Sequence, residues 1–313
     1  MPSNNPDLHP VSQTDGADAA WVKTHDNFRL RFVHWPAASS SKGSIFIFQG
    51  RSEIAEKYGP IASVFTDRGY HVCSIDWRGQ GKSQRVSNRE FVGHCSTFEA
   101  YQNDVLALCA AAEARNLPKP WYILGHSMGA LIGVRAILRD PTCFSAAAFT
   151  SPMFALNLSR VKSTLVHVLA RGLRTVGMSD LVAPGQSPVP YVLNTAFHDN
   201  ALTSDPEQYE FYKRVTESLP NDKIGGVTYG WVSAALREVS HLAALSKPLP
   251  ISSAFLFGTK DQIIDRHGSA SLARYLSNSN VTEFPNAKHD ILFERPDIHS
   301  EAVSDILSTF SVK

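Results

Sequence analysis

The run Gly125-His126-Ser127-Met128-Gly129 carries the most specific chemical signal in the chain. A serine hydroxyl is a weak nucleophile at neutral pH, and it becomes reactive beside a base and opposite N–H donors. The strand-like Trp121-Tyr122-Ile123-Leu124 precedes this GxSxG run, and the helical Ala130-Leu131-Ile132-Gly133-Val134-Arg135 follows it. A turn that sharp from strand into helix holds the serine in strained geometry at a sheet edge. Gly125 and Gly129 leave room where side chains would collide with the neighbouring strand and helix. The helix N-terminus then turns its dipole and free N–H groups toward a developing anion. GxSxG arises often by chance; its position between strand and helix makes Ser127 the expected nucleophile.

Serine needs a base, and the base needs an orienting carboxylate. Where the nucleophile sits on such an elbow, the acid and then the histidine follow it in chain order. Asp261 ends the turn Gly258-Thr259-Lys260-Asp261 after the apolar run Ser253–Phe257, and is the expected acid, with Asp265 as its rival. His289 follows the run Asn280–Phe284 in Pro285-Asn286-Ala287-Lys288-His289-Asp290 and is the expected base. His126, inside the elbow, reads as structural, and His299, in the last helical pattern, as a surface residue. A tetrahedral intermediate needs two N–H donors. Met128 supplies one and Arg51, in Gln49-Gly50-Arg51-Ser52-Glu53, is the choice for the other; a plain tight turn is the competing reading of that loop.

These residues need a scaffold that brings distant loops to one edge. Compact apolar runs at Ser44–Phe48, His71–Ile75, Trp121–Leu124, Ala146–Thr150, Ser253–Phe257 and Asn280–Phe284 fit buried strands. Helical patterns over Tyr58–Arg68, Phe98–Arg115, Met128–Arg139, His267–Ser277 and Asp297–Phe310 lie between or after them. The alternation implies an α/β class with a mostly parallel sheet covered on both faces. Ala20–Lys23 and Asn27–Trp35 read as two earlier strands about the turn His25-Asp26.

Between Ser151 and Ser253 lie about 100 residues, far more than a crossover needs. Residues 152–235 are therefore expected to form a helical cap, with 20–151 and 236–313 as the core and 1–19 as a flexible tail. Leu158–Met178 recurs at helical spacing, has Arg160, Lys162, Arg171 and Arg174, and lacks an acid. It reads as an amphipathic cap helix with its charged face in water; peripheral contact with a membrane is the alternative. Tyr229–Ser246 is expected to rejoin the core as a helix. Met153, Phe154, Leu158 and Leu165 are expected to line an acyl groove beneath the cap.

The 313 residues carry 30 basic and 29 acidic side chains, a net charge of +1, so nucleic acid is not an expected partner. No apolar stretch is long enough to span a bilayer. The four cysteines have no CxxC pair and read as free thiols, which fits a cytoplasmic location. The twelve histidines lack HxH or HxxxH spacing, so neither a metal nor another cofactor is expected.

From about Phe28 to Phe310 the chain resembles the α/β-hydrolases of the lysophospholipase L2 and monoacylglycerol lipase group, also called the serine aminopeptidase S33 group. The resemblance rests on Phe48-Gln49-Gly50-Arg51-Ser52-Glu53, Ile75-Asp76-Trp77-Arg78-Gly79-Gln80-Gly81-Lys82-Ser83, Gly125–Ala130, Gly258–Asp261 and Lys288-His289-Asp290-Ile291-Leu292-Phe293-Glu294. It implies Ser127, Asp261 and His289 as the triad, with oxyanion donors at Arg51 and Met128. The Asp76–Gly81 stretch corresponds to a largely structural loop. Monoacylglycerol-lipase relatives usually carry His-Gly at Gln49-Gly50, whereas Gly50-Arg51 is similar to the lysophospholipase L2 branch. The implied activity is hydrolysis of a fatty-acyl ester. A short-chain esterase, amidase or peptidase with the same triad, and a catalytically silent binding protein, are the alternatives.

Overall fold

The computed structural model describes residues 8, 16–89, 91–157, 160–183, 185–219, 221–245, 247–277 and 280–311. Within them an eight-stranded sheet has the order β1-β2-β4-β3-β5-β6-β7-β8. In chain order the strands are β1 (Asp18–Lys23), β2 (Arg29–Trp35), β3 (Ser44–Phe48), β4 (His71–Ile75), β5 (Trp121–His126), β6 (Ala146–Thr150), β7 (Ser252–Gly258) and β8 (Val281–Phe284). The two N-terminal strands join antiparallel and the rest run parallel. Asp18 and Ala19, expected at the end of a flexible tail, instead pair with His34 and Val33, because the alternating residues of β1 find a free edge of β2. Most of the remaining tail lies outside the described residues.

Strands β3, β5 and β6 are buried along their full length, which is why they read as unbroken apolar runs. Side chains alternate between the two faces: Phe46 and Phe48 enter one core, Ile45 and Ile47 the other. Helices α1 (Gly59–Thr66), α2 (Glu99–Ala114) and α3 (Met128–Arg139) make the crossovers among β3, β4, β5 and β6. The chain builds β4 on one side of β3 and then returns to lay β5 on the other. That reversal opens a crevice beyond the C-terminal ends of β3 and β5.

Between β6 and β7 come α4 (Arg160–Thr175), α5 (Tyr191–Asn194), α6 (Pro206–Glu217) and α7 (Tyr229–Leu245). Helix α7 crosses the expected 235/236 boundary without a break, and Trp231, Ala235 and Leu242 sit in the core shared with α3. Helix α4 packs on α7 yet leaves Leu165 56% and Val168 63% exposed. α8 (Arg266–Leu276) joins β7 to β8, and α9 (Pro296–Phe310) closes the fold against β6 and β7. No helix among the described residues is long and apolar enough to cross a membrane.

Candidate active site

Ser127 has φ 52° and ψ −114°, a left-handed backbone conformation that a serine adopts only under local constraint. The constraint is visible. A Cβ on Gly129 would fall 1.8 Å from the Phe48 carbonyl oxygen, so only glycine lets the first turn of α3 approach β3 this closely. The Ser127 N–H donates to the Thr150 carbonyl at 3.0 Å, and its own carbonyl accepts from Met153 at 3.2 Å. The elbow is thus pinned to the end of β6 and to the segment that follows it.

Loops after β7 and β8 deliver the other two groups. His289 Nε2 lies 3.0 Å from Ser127 Oγ, and His289 Nδ1 lies 2.7 Å from Asp261 Oδ2. Asp261 Oδ1 accepts the Ile263 N–H at 2.9 Å, which fixes the carboxylate facing the imidazole. The Ser151 hydroxyl donates to the His289 carbonyl at 2.6 Å, tying the base to the end of β6. Burial disfavours the His289 cation, but the charge of Asp261, helped by Asp290 and Glu53, holds its pKa above 6.5. Burial likewise raises Asp261, yet His289 and the backbone N–H groups outweigh it and hold the carboxyl below its usual value. The arrangement can move a proton from a hydroxyl to an imidazole while a carboxylate stabilises the resulting cation.

Asp265, the rival acid, caps α8 by accepting the Gly268 N–H at 3.0 Å. His126 bonds Thr150 Oγ1 at 3.0 Å through Nδ1, and its Nε2 lies 3.0 Å from Asp290 Oδ1, in keeping with a structural role. His299 is half-buried and engages the Leu292 carbonyl at 2.8 Å.

The loop expected to carry the second oxyanion donor begins at the end of β3. Phe48 pairs with Gly125 across β3 and β5, so the chain after Phe48 runs beside the elbow. Among the described residues, neither the Arg51 nor the Met128 N–H donates to a protein acceptor. Their neighbours are held firmly: Glu53 Oε2 accepts the Gly50 N–H at 2.6 Å, and Gln80 Oε1 accepts the Ser52 N–H at 2.7 Å. Trp77 Nε1 donates to the Gln49 carbonyl at 2.9 Å, so the Asp76–Gly81 stretch braces the loop that follows β3.

Two features escape sequence reasoning. Buried Lys57 pairs with Glu53 and reaches Asp290 Oδ2 at 2.9 Å, joining the loop after β3 to the residue beside His289. Burial opposes the Asp290 carboxylate, but Lys57 and His126 hold its pKa well below the ordinary range. The turn Ala55-Glu56-Lys57-Tyr58 buries all four residues, two of them charged, and the sequence shows the charges but not their burial. The second feature is the Arg51 guanidinium, which donates to the carbonyls of Gly225 (2.8 Å) and Gly226 (2.7 Å) between α6 and α7. It lies 5.2 Å from the Trp231 ring, and burial pushes its pKa down to about 10.

The expected groove is not assembled as drawn. Met153 and Phe154 are buried, Phe154 packing on Phe255, while Leu165 points to solvent; Leu158 lies outside the described residues. The apolar face of α4 is turned outward here, which periodicity alone does not reveal. A cavity of about 700 Å³ instead lies between α4 and α7, lined by Arg171, Arg174 and Arg237 among others. His126, His289 and Asp290 form a grouping that could ligate a metal, within 4.8 Å of one another, but the Lys57 ammonium already occupies one Asp290 oxygen.

Sheet order, strained serine turn and hydroxyl–imidazole–carboxylate chain define a serine hydrolase of the α/β-hydrolase fold. Residues 39–296 match the family described as serine aminopeptidase, S33, and the chain belongs to that family. It is 27% identical over 312 residues to lysophospholipase L2 of Escherichia coli, covering 96% of this chain and 88% of that protein. A probable lysophospholipase L2 of Haemophilus influenzae is 26% identical over 286 residues, covering 90% and 88%. Among solved structures, the monoacylglycerol lipase of Paleococcus ferrophilus superposes with a TM-score of 0.70 at 18% identity, covering 90% of this chain and 98% of that one.

Proposed function

We propose that the protein hydrolyses the ester of a lipid bearing one fatty-acyl chain, a lysophospholipid or a monoacylglycerol, through an acyl-enzyme. The observation that carries this reading is the relay of 3.0 Å and 2.7 Å from Ser127 through His289 to Asp261. His289 takes the Ser127 proton as Oγ attacks the ester carbonyl, and Asp261 stabilises the imidazolium. Backbone N–H groups of Arg51 and Met128 receive the oxyanion. His289 then protonates the leaving glycerol oxygen. Water, deprotonated in turn by His289, releases the fatty acid and restores the serine. The substrate class is carried over from the lysophospholipase relatives, with Gly50-Arg51 favouring that branch.

Residues 152–235 serve in this reading as a cap over the relay, and α4 as its contact with a lipid surface. Exposed Leu165, Val168, Leu169, Val176 and Met178 suit the apolar layer of a bilayer, and a helix with four lysines and arginines and no aspartate or glutamate suits an anionic one. Four free thiols accord with a cytoplasmic setting.

The test is a panel of lysophosphatidylcholines, monoacylglycerols and p-nitrophenyl esters of rising chain length, given to wild type and Ser127→Ala. Fatty-acid release that rises with chain length and vanishes in the variant supports the reading. A preference for two-carbon esters sinks the lipid assignment and leaves the hydrolase.

A further inference from the structure

The proposed chemistry uses none of the four cysteines, and they fall into two kinds. Cys73 and Cys95 are buried, at 0% and 2% exposure, and burial pushes the first well above the ordinary thiol pKa and the second to about 11. A buried thiol without access to oxidant behaves as a small apolar side chain. Cys109 and Cys143 are half-buried, and their sulfur atoms lie 3.7 Å apart although 34 residues separate them. Cys109 stands on α2; Cys143 stands in the loop between α3 and β6. That loop is set by Asp140, whose Oδ1 accepts both the N–H and the hydroxyl of Thr142 at 3.0 and 2.7 Å.

We infer that Cys109 and Cys143 form a two-thiol modification site, which a hydroperoxide converts into an intramolecular disulfide. A disulfide needs sulfurs about 2.05 Å apart. Rotation about one χ1 moves a sulfur by up to about 3 Å, a movement larger than the shortening the bond requires. The two thiols are equivalent in placement: both are half-buried, and either can donate to the other across the 3.7 Å contact. Either can be the attacking sulfur. Its thiolate takes the distal oxygen of the hydroperoxide, giving a sulfenic acid and releasing an alkoxide, or hydroxide from hydrogen peroxide, which is then protonated. The sulfur of the other cysteine displaces the sulfenic oxygen as water, its own thiol proton completing that water. The two electrons lost by the sulfurs reduce the O–O bond, and a dithiol reverses the product by exchange.

The bond would close a loop holding β5, Ser127 and α3, joining the two sides of the elbow's support. Neither cysteine touches Ser127, His289 or Asp261, so the site stands apart from the proposed reaction and its test does not depend on it.

The experiment treats reduced full-length protein with hydrogen peroxide, denatures it, and counts alkylatable thiols by intact mass. The expected count falls from four to two, with a Cys109–Cys143 peptide pair that dithiothreitol abolishes. In Cys109→Ser and in Cys143→Ser no intramolecular disulfide forms, and the sulfenic acid persists on the remaining thiol of the pair, where dimedone traps it. Cys109→Ser keeps p-nitrophenyl ester turnover within about twofold of wild type, which certifies its fold. Four intact thiols, an interchain dimer, or one cysteine of the pair driven to sulfinic acid with the other still free would each overturn the inference.

Discussion

The edge of the sheet and the segment that covers it are built by opposite rules. Around Ser127, His289 and Asp261 every backbone segment is tied to a neighbour, through Thr150, Ser151 and the N–H of Ile263. In α4, by contrast, large apolar side chains stand in solvent and the helix rests on α7 along one side. A proton relay tolerates little displacement, since reacting atoms must meet at about 3 Å. A surface that receives varied lipids needs adaptable apolar area instead. Rigidity is thus concentrated where a proton moves, and Arg51 bridges the regions by holding the carbonyls of Gly225 and Gly226.

The contrast can be broken most sharply at the rigid edge. Asp261→Asn keeps the shape but leaves the imidazole poorly oriented and its cation uncompensated, and kcat should fall about 10⁴-fold with KM little changed. Lys57→Met keeps the stem yet strands Glu53 and Asp290 in the interior; we expect a loss of about 3–5 kcal/mol, read by urea unfolding. A loss below about 1 kcal/mol would show that water screens this cluster.

Arg51→Met retains the backbone N–H and removes only the clamp on the cap. Here kcat should drop about 10-fold, less than deletion of an oxyanion donor costs, with Arg51→Lys recovering part of it. Equal effects on KM alone would make the guanidinium a binding group rather than a brace. The pH profile refines the same point. His289 must be neutral to accept the serine proton, and its pKa is held above 6.5, so kcat/KM should fall as pH drops through that raised value. Asp290→Asn removes one of the charges that raise it and should move the acid limb to lower pH. The smallest effect is expected at the covering segment. Val168→Asp should weaken sedimentation with anionic liposomes several-fold while hydrolysis of a water-dispersed short ester is unchanged.

Much of the rigid edge was legible in the sequence because its signals are local. Gly125–Gly129 between strand and helix, and the turns after β7 and β8, announce themselves within a few residues. Asp261 and Asp265 both follow β7, and the position in the turn favours Asp261; the structure adds the physical reason, because Asp265 is spent on capping α8. What stayed illegible depends on pairing across long sequence distance. The Lys57–Asp290 contact spans 233 residues, and the Cys109–Cys143 approach crosses from a helix to a loop. The outward turn of α4 was hidden for another reason. Periodicity reports that a helix has an apolar face, but only tertiary packing decides whether that face is covered, and Leu165 stands in solvent.

The most direct measurement is covalent: react the protein with a fluorophosphonate and map the adduct by peptide mass. Labelling should fall on Ser127 alone in wild type and slow at least about 10³-fold in His289→Ala, because the hydroxyl then has no base. An adduct on another residue, or undiminished labelling of Ser127 without His289, would contradict the relay on which the whole reading stands.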